Sequence, residues 1–426
     1  MRFWVVQMGE LLAGVDGDTR DYRYMLLAKQ LAANEHSVLR WSTTFDHIKK
    51  RFRFDRSTTV EVAPQLTLRL LHALPAYGRN ISLARFLQQR HAARLFTEEA
   101  HHLPQPDLIY AGVPVPELAE ACLRCGRRHG IPVVVDVQDL WPDIYLSAFP
   151  CAARWIGRLL LAPEFARSRR IFRQATAITA VSQTYFRWAT DRAGRAPGEY
   201  DGVYPLGFTP PTEHILKGDD ERTAFLKRWG IQAGDWVASF LGTFGNSYDI
   251  ETIVQAARLL QAQRDRRIHI VMAGDGEKMG VARSLAEGVA TITLPGWIDQ
   301  SSALALSALS SVGLCAYAKH AYQSIPYKPL EYMAAGLPLI SSLPGEMREI
   351  LASEQCGLYY EAGNAESLCA RLLELAAQPE RCAEMGRRSR ALFERRFNAR
   401  VIYPQLAGQL EHLALESRKQ HEHDRA

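Results

Sequence analysis

Short apolar runs alternate with helix-patterned stretches along most of this chain, and that alternation confines it to a parallel, doubly wound α/β architecture. A strand pattern over residues 3–8 precedes a helix pattern over 23–33 and a strand over 37–41. Residues 108–111, 116–129, 132–137 and 177–181 continue the rhythm of strand, helix and strand. Between about 205 and 222, GVYPLGFTPPTEH gathers Pro and Gly and breaks the pattern as a connector does. It restarts at 236–241, with a helix over 250–263, strands at 268–273 and 292–294, a helix over 302–309 and a strand at 312–316. The predicted organisation is therefore two α/β domains, 1–205 and 206–395, and a charged helix over 396–426 that returns towards the first domain. Ligands of such sheets bind beyond the carboxyl ends of the strands, so two such domains would suit a reaction of two substrates.

A length of 426 residues accommodates both domains, and 47% hydrophobic with 23% charged residues is the composition of a globular protein able to bury two cores. The formal charge of +5 suits an anionic ligand or membrane surface, and no nucleic-acid-binding signature accompanies it. Seven dispersed cysteines point to a reducing compartment. Cys122 and Cys125 form a CxxC in a helical run with no second pair nearby, which falls short of a four-ligand zinc site. The opening MRFWVVQMGE lacks the basic start and cleavage site of a signal peptide. No apolar run reaches about 18 residues, so the expectation is a cytoplasmic protein, at most peripheral to a membrane.

YKPLEYMAAGLPLISS, residues 327–342, carries the most specific chemistry. It predicts a helix over 328–335, a stop at Gly336 and a buried strand over 338–342. Lys328 and Glu331 are three apart, so they share one face at the helix end where phosphates sit. A carboxylate one turn inside can accept two hydrogen bonds from a vicinal diol, and a cation at the mouth can hold a phosphate. The pair suggests a nucleotide-sugar site; an ordinary capped helix with an exposed ion pair is the alternative.

Around it stand FLGTFG at 240–245, AGDGE at 273–277, PGW at 295–297 and CGLYYEAGNAESL at 356–368. In this order the five motifs resemble the retaining GT-B glycosyltransferases of glycosyltransferase family 4. In the first half, RYMLLAKQLA from Arg23, FDHIKK at 45–50, YGRN at 77–80 and DVQDLWPD at 136–143 are similar to a bacterial subgroup of L-fucosamine transferase-like enzymes. The resemblance covers nearly the whole chain.

It implies a GT-B fold, two doubly wound, Rossmann-like domains facing a central cleft. It also implies transfer of a hexosyl or N-acetylhexosaminyl group from a nucleotide-diphosphate sugar, UDP in first place, to a glycan or polyprenyl-diphosphate-linked acceptor. The setting it implies is the synthesis of surface polysaccharide, lipopolysaccharide or capsule at the inner face of the cytoplasmic membrane. Neither metal nor cofactor is expected, the nucleotide-sugar being a substrate. Glu331 matches the glutamate that grips the ribose. Trp297 and Ile298 are candidates for the base pocket, although Trp297 could equally be a turn aromatic over the core. Gly242, Gly245 and Gly274 would let phosphate approach backbone N–H groups, with Ser324 and Tyr327 beside them.

Departures from the family pattern matter. Thr243 stands where an Arg is common, and Asn246–Ser247–Tyr248 where a Lys follows, which shifts the phosphate charge onto Lys328. Gln323 replaces a glutamate, keeping hydrogen-bonding capacity without charge. The usual Gly-His pair stands here as Glu35–His36.

In the first domain, the Gly-rich loop 9–18 is expected to approach the diphosphate through Gly14 and Gly17, and its DGD, 16–18, is read as loop and not as a metal site. Arg23 is a further candidate phosphate contact, a solvated helix charge being the alternative. Asp139 follows a strand end and leads as the group that orients or deprotonates the acceptor hydroxyl; a turn or N-cap aspartate is the bland alternative. His47 is a second acceptor-side candidate, or else a surface histidine. Residues 152–174 interleave Trp155 and other apolar side chains with Arg158, Arg169 and Arg170, a pattern suited to a helix on anionic lipid or to core helices with a basic face. A GT-B sugar-nucleotide 2-epimerase and a non-catalytic nucleotide-sugar scaffold are the competing readings of the whole.

Overall fold

The computed structural model describes residues 1–17, 19–210, 227–232, 234–263, 267–321 and 323–423. Asp18 of the DGD, the connector from 211 to 222 and the last three residues of the charged tail lie outside the described residues. The chain divides into two compact units, Met1–Gly207 with Ala399–Ala426, and Phe208–Asn398.

The first unit is built on an eight-stranded sheet. Its strands are β1 (Arg2–Val6), β2 (Ser37–Thr43), β5 (Thr58–Ala63), β6 (Leu66–Leu71), β7 (Leu108–Val113), β8 (Val133–Val137), β9 (Ala177–Ala180) and β10 (Gly202–Val203). The short strands β3 (Phe45–Asp46) and β4 (Arg51–Phe52) pair separately as an antiparallel ladder. The spatial order β10-β9-β8-β7-β1-β2-β6-β5 turns back at β1, with β7 on one side and β2 on the other. All pairings are parallel except β5 with β6. Strands covered on both faces read as continuous apolar runs; LIYAGV does so, and VVVDV is interrupted only by the buried Asp136. On one face Trp4, Trp41 and Phe96 meet edge to face, with ring centroids 4.9–6.0 Å apart. On the other face, the helix Arg23–Ala33 and the last helix, Ala399–His423, share a core containing Leu27, Leu31, Leu406 and Leu410.

Local signals explain the helix ends. Pro116 opens the helix Pro116–His129 and Gly130 closes it in the left-handed conformation, φ +67°. Glu35, in the place of the family's glycine, also takes a positive φ, +61°, so the turn keeps the glycine geometry with a side chain on it.

The second unit holds a six-stranded, wholly parallel sheet. Its strands are β11 (Trp236–Leu241), β12 (Ile268–Ala273), β13 (Ile292–Gly296), β14 (Val312–Cys315), β15 (Leu339–Ser341) and β16 (Gly357–Tyr359). The order β13-β12-β11-β14-β15-β16 reverses between β11 and β14. In a doubly wound sheet that reversal opens a crevice at the carboxyl ends of the two strands, where ligands bind.

Candidate active site

In the second unit, the crevice position is filled by Lys328. The helix Tyr327–Ala334 links β14 to β15 and starts after Pro326, with no side chain capping it. Lys328 lies in its first turn and is only 6% exposed. Its Nζ stands 4.4 Å from the centroid of the Phe240 ring on β11 and 5.1 Å from that of Tyr248. Gly242, immediately after β11, leaves room for this ammonium: a Cβ there would fall 2.2 Å from Nζ, and φ of +148° excludes ordinary side chains in any case. The two motifs that sequence places 86 residues apart, 328 less 242, therefore form one feature.

The position of the helix is fixed by Tyr332. Its hydroxyl donates to the Ser239 carbonyl at 2.9 Å and accepts from the Leu241 N–H at 2.8 Å, and its ring lies over Gly313 of β14, where a Cβ would be 2.3 Å away. Glu331, one position before it, is half-buried on the same helix. Burial pushes the Cys315 thiol at the end of β14 up to about 12, with the Lys328 charge opposing and the Glu331 charge adding to the shift. Both charges of the pair thus act on the strand end at the crevice.

The neighbouring loops interlock. Gly242 N–H donates to the Ala273 carbonyl, Phe244 N–H to the Asp275 carbonyl, and Gly274 N–H to the Gly296 carbonyl. Thr243 is exposed and Gly245 half-buried beside them. Lys278, four residues beyond Gly274, is held by Glu251 at 3.0 Å and the Tyr248 carbonyl at 3.1 Å. Trp297 is 75% exposed, so it does not cap the core, whereas Ile298 packs on the small cluster of Trp229 and Leu306. Gln323 is exposed, while Ser324 is buried and donates to Glu346 at 3.1 Å. Glu346, which sequence reasoning missed, opens the helix Glu346–Ser353 just after Gly345; its proximity to Ser324 is a contact across 22 residues that local pattern does not carry.

In the first unit, Asp139 and His47 line one cavity of about 200 Å³ at the carboxyl ends of β1, β2, β7 and β8, together with Gln7, Gly9, Tyr77 and Arg85. Burial raises the Asp139 carboxyl to about 6, against the pull of Arg85. His47 hydrogen-bonds the Tyr77 hydroxyl through Nδ1 at 2.6 Å. Burial first, then the Lys50 and Arg85 charges, lower its pKa to about 4, so the ring is neutral at pH 7. Spacing alone does not mark Tyr77 or Arg85 as site residues, although Tyr77 opens the YGRN motif.

Arg23 requires a correction. It does not face a phosphate: its side chain and that of Asp136 on β8 are both 0% exposed. Nε and Nη2 of Arg23 reach the two Asp136 oxygens at 2.8 Å each, and Nη1 donates to the Tyr204 and Pro205 carbonyls. The guanidinium is a buried structural cation. Gly14 and Gly17 lie in the loop after β1 with open space where a Cβ would stand. Asp16 beside them takes two hydrogen bonds from Arg53 and one from the Leu12 N–H, which commits its carboxylate within the protein.

Residues 152–174 form two helices, Arg154–Leu160 and Ala162–Gln174. Gly157 seats the first against Phe149 and Leu146, and Trp155 (67% exposed) and Leu159 (69%) point to solvent. Arg158, Arg169 and Arg170 are exposed, and Arg170 pairs with Glu120 at 3.0 Å.

Residues 221–392 match the family described as glycosyl transferases group 1. The amylovoran biosynthesis glycosyltransferase AmsK of Erwinia amylovora is 35% identical over 92 residues, 22% of this chain and 23% of that protein, so the match spans under a quarter of its length. Sucrose-phosphate synthase from Thermosynechococcus elongatus superposes with a TM-score of 0.72 at 17% identity, covering 98% of this chain and 99% of that one. HepE from Anabaena, in complex with UDP-glucose, superposes with a TM-score of 0.64 at 14% identity, covering 97% of this chain and all of the other, 100%. The fold is therefore GT-B, with two Rossmann-like units.

Proposed function

We propose that this protein is a retaining, metal-independent glycosyltransferase of family 4, close to the L-fucosamine transferase-like subgroup. It would move a hexosyl or N-acetylhexosaminyl group from a UDP-sugar to a glycan or polyprenyl-diphosphate-linked acceptor in surface polysaccharide synthesis. The observation that carries this reading is the buried Lys328 ammonium against Gly242 at the sheet reversal, one helical turn before Glu331. The family match over 221–392 and the UDP-glucose of the HepE complex point the same way.

In this reading Glu331 accepts from the ribose hydroxyls and Lys328 neutralises the diphosphate. An acceptor oxygen forms the new bond to the anomeric carbon while the carbon–oxygen bond to the diphosphate breaks, its electron pair leaving with the phosphate. Charge that grows on the leaving group is met by the fixed Lys328 cation, which lowers the barrier without reorganisation. Attack from the face of the leaving group retains configuration. The engagement of Asp16 by Arg53 supports reading the DGD as a loop element and not a metal site.

Asp139 orients the acceptor hydroxyl or takes its proton, with His47 as a neutral hydrogen-bonding neighbour. With a pKa near 6 the carboxylate is ionised at pH 7 and protonated below about 6, so transfer should rise with pH through that region. The raised pKa also has a stability sign: it favours folding fully below the unfolded value of 3.8, and that advantage is lost as pH rises through about 6. Asp139→Asn is therefore expected to abolish most transfer while raising stability at pH 7.5 by up to about 3 kcal/mol, with little gain at pH 3.5. Melting temperatures at the two pH values check this; a variant less stable at pH 7.5 contradicts it.

Trp155 and Leu159, exposed beside Arg158 and Arg169, support a peripheral seat on anionic lipid at the inner face of the cytoplasmic membrane. The test of the central reading is a thermal-shift series with UDP, GDP and their sugars, followed by product analysis with and without acceptor. Stabilisation by UDP or UDP-sugar and a product formed only with acceptor is the expected result. Turnover of the donor alone to an epimer would replace transfer by 2-epimerisation, and binding without any turnover would leave a scaffold.

A further inference from the structure

Beside the Asp139 cavity lies a larger one of about 530 Å³, also wholly within the first unit, and the two share Arg85 and Gln89. That volume is in the range of small-molecule sites, about 300–1,000 Å³. Its wall is mostly apolar, with Phe86, Trp141, Phe149 and Leu161 inside and Ile81 and Leu83, both exposed, at its edge. The polar exceptions in the wall include Glu117, whose Oε1 is taken by Arg167 at 2.9 Å, and Ser168. Such a chamber favours an aliphatic ligand.

Where the two cavities meet, charge is concentrated. The Arg85 guanidinium lies 4.9 Å from the Trp141 ring centroid and 5.9 Å from that of Tyr77. The Lys50 ammonium stands 4.9 Å from the same Tyr77 ring. Asn80 holds both: its carbonyl accepts from Arg85 Nη1 at 2.7 Å and its Oδ1 accepts from Lys50 Nζ. Lys50 is kept there by a left-handed backbone, φ +56°, a conformation that costs a side-chain-bearing residue free energy and that clusters at functional sites. Among the described residues, Arg85 Nε is buried and has no hydrogen-bond partner. Two cations gathered on one tyrosine ring repel each other, and a multiply charged anion relieves that repulsion.

We propose that these two cavities form one amphiphile site: Arg85 and Lys50 hold a diphosphate, and the apolar chamber takes the first units of a polyprenyl chain attached to it. The inference rests on the glycosyltransferase reading and selects, from its two acceptor classes, the lipid-linked one. The diphosphate would lie beside Asp139, which places the acceptor sugar at the carboxylate.

Farnesyl diphosphate, used below its micelle concentration, is the probe, measured by calorimetry on the full chain against inorganic pyrophosphate, farnesol and dihexanoyl phosphatidic acid. Farnesyl diphosphate is expected to bind at least about tenfold more tightly than any of the other three. Arg85→Gln should weaken farnesyl diphosphate and pyrophosphate alike by about tenfold. The double substitution Ile81→Ser with Leu83→Ser, at two exposed positions, should weaken farnesyl diphosphate alone. Equal affinity for pyrophosphate overturns the chamber's role, and equal affinity for phosphatidic acid assigns the site to membrane lipid instead. UDP binding, measured on each variant, reports folding and the donor site separately. Wild-type protein that binds UDP but not farnesyl diphosphate refutes this inference and leaves the transferase reading standing; protein that binds neither refutes both.

Discussion

Lys328→Met is expected to lower the transfer rate by about 10²–10³-fold, the usual cost of removing one fixed group that meets transition-state charge. Methionine keeps the packing against Phe240 and Tyr248, so the loss isolates the charge. Glu331→Ala should act differently, on affinity: two hydrogen bonds to a carboxylate, each about 1.5–3 kcal/mol, hold the ribose diol. Its signature is lost discrimination between UDP and 2′-deoxy-UDP, with kcat less affected than KM. Tyr332, which pins the helix to β11, is untouched in both variants, so the melting temperature of each should remain near that of the wild type. Steady-state kinetics and nucleotide titration decide the matter. Wild-type rates in purified Lys328→Met would end the assignment of this crevice to the diphosphate.

Asp136→Ala is expected to destabilise the first unit by about 3–5 kcal/mol, because it leaves the Arg23 guanidinium charged, buried and without its counterion. Asp136 accepts from Arg23 Nε and Nη2, from the Tyr24 hydroxyl and from the Thr179 hydroxyl, all between 2.7 and 2.8 Å. Those four donors come from a helix and a neighbouring strand, so the loss extends beyond the ion pair. The double variant Arg23→Met, Asp136→Leu removes both charges and should recover most of the stability. Urea unfolding of the three proteins provides the comparison. A single variant as stable as the wild type would mean that Arg23 finds water or another acceptor, contrary to its complete burial.

Arg23 marks the limit of what local sequence carries. The helix Arg23–Ala33 itself was legible from its spacing, as were Pro116–His129, Trp236–Leu241 and Ile268–Ala273, because periodicity and end signals are local. The partner of Arg23 lies 113 residues away, and no local rule distinguishes a buried cation from one that meets a ligand. The hairpin of β5 and β6 carries no local signal beyond the alternation of LTLRLL, since its turn at Gln65 (φ +67°) uses none of the usual Asn-Gly or Gly-Gly pairs. At the crevice, the motifs around Gly242 and Lys328 were visible singly; what could not be read was that the glycine is there to admit the ammonium. Likewise, Arg85 and Lys50 come from a helix and a hairpin that only folding brings to one ring.

The return of residues 399–423 to the first unit has a consequence for how the chain is made. Leu406 and Leu410 fill a core begun by Leu27 and Leu31, and each such side chain contributes about 1.5–3 kcal/mol when buried. A ribosome releases everything from 208 to 398 before it supplies that last wall. The order of completion is thus inverted: the later-encoded unit closes first, and the earlier one waits with an uncovered flank, open to chaperones or to aggregation, until the final helix emerges.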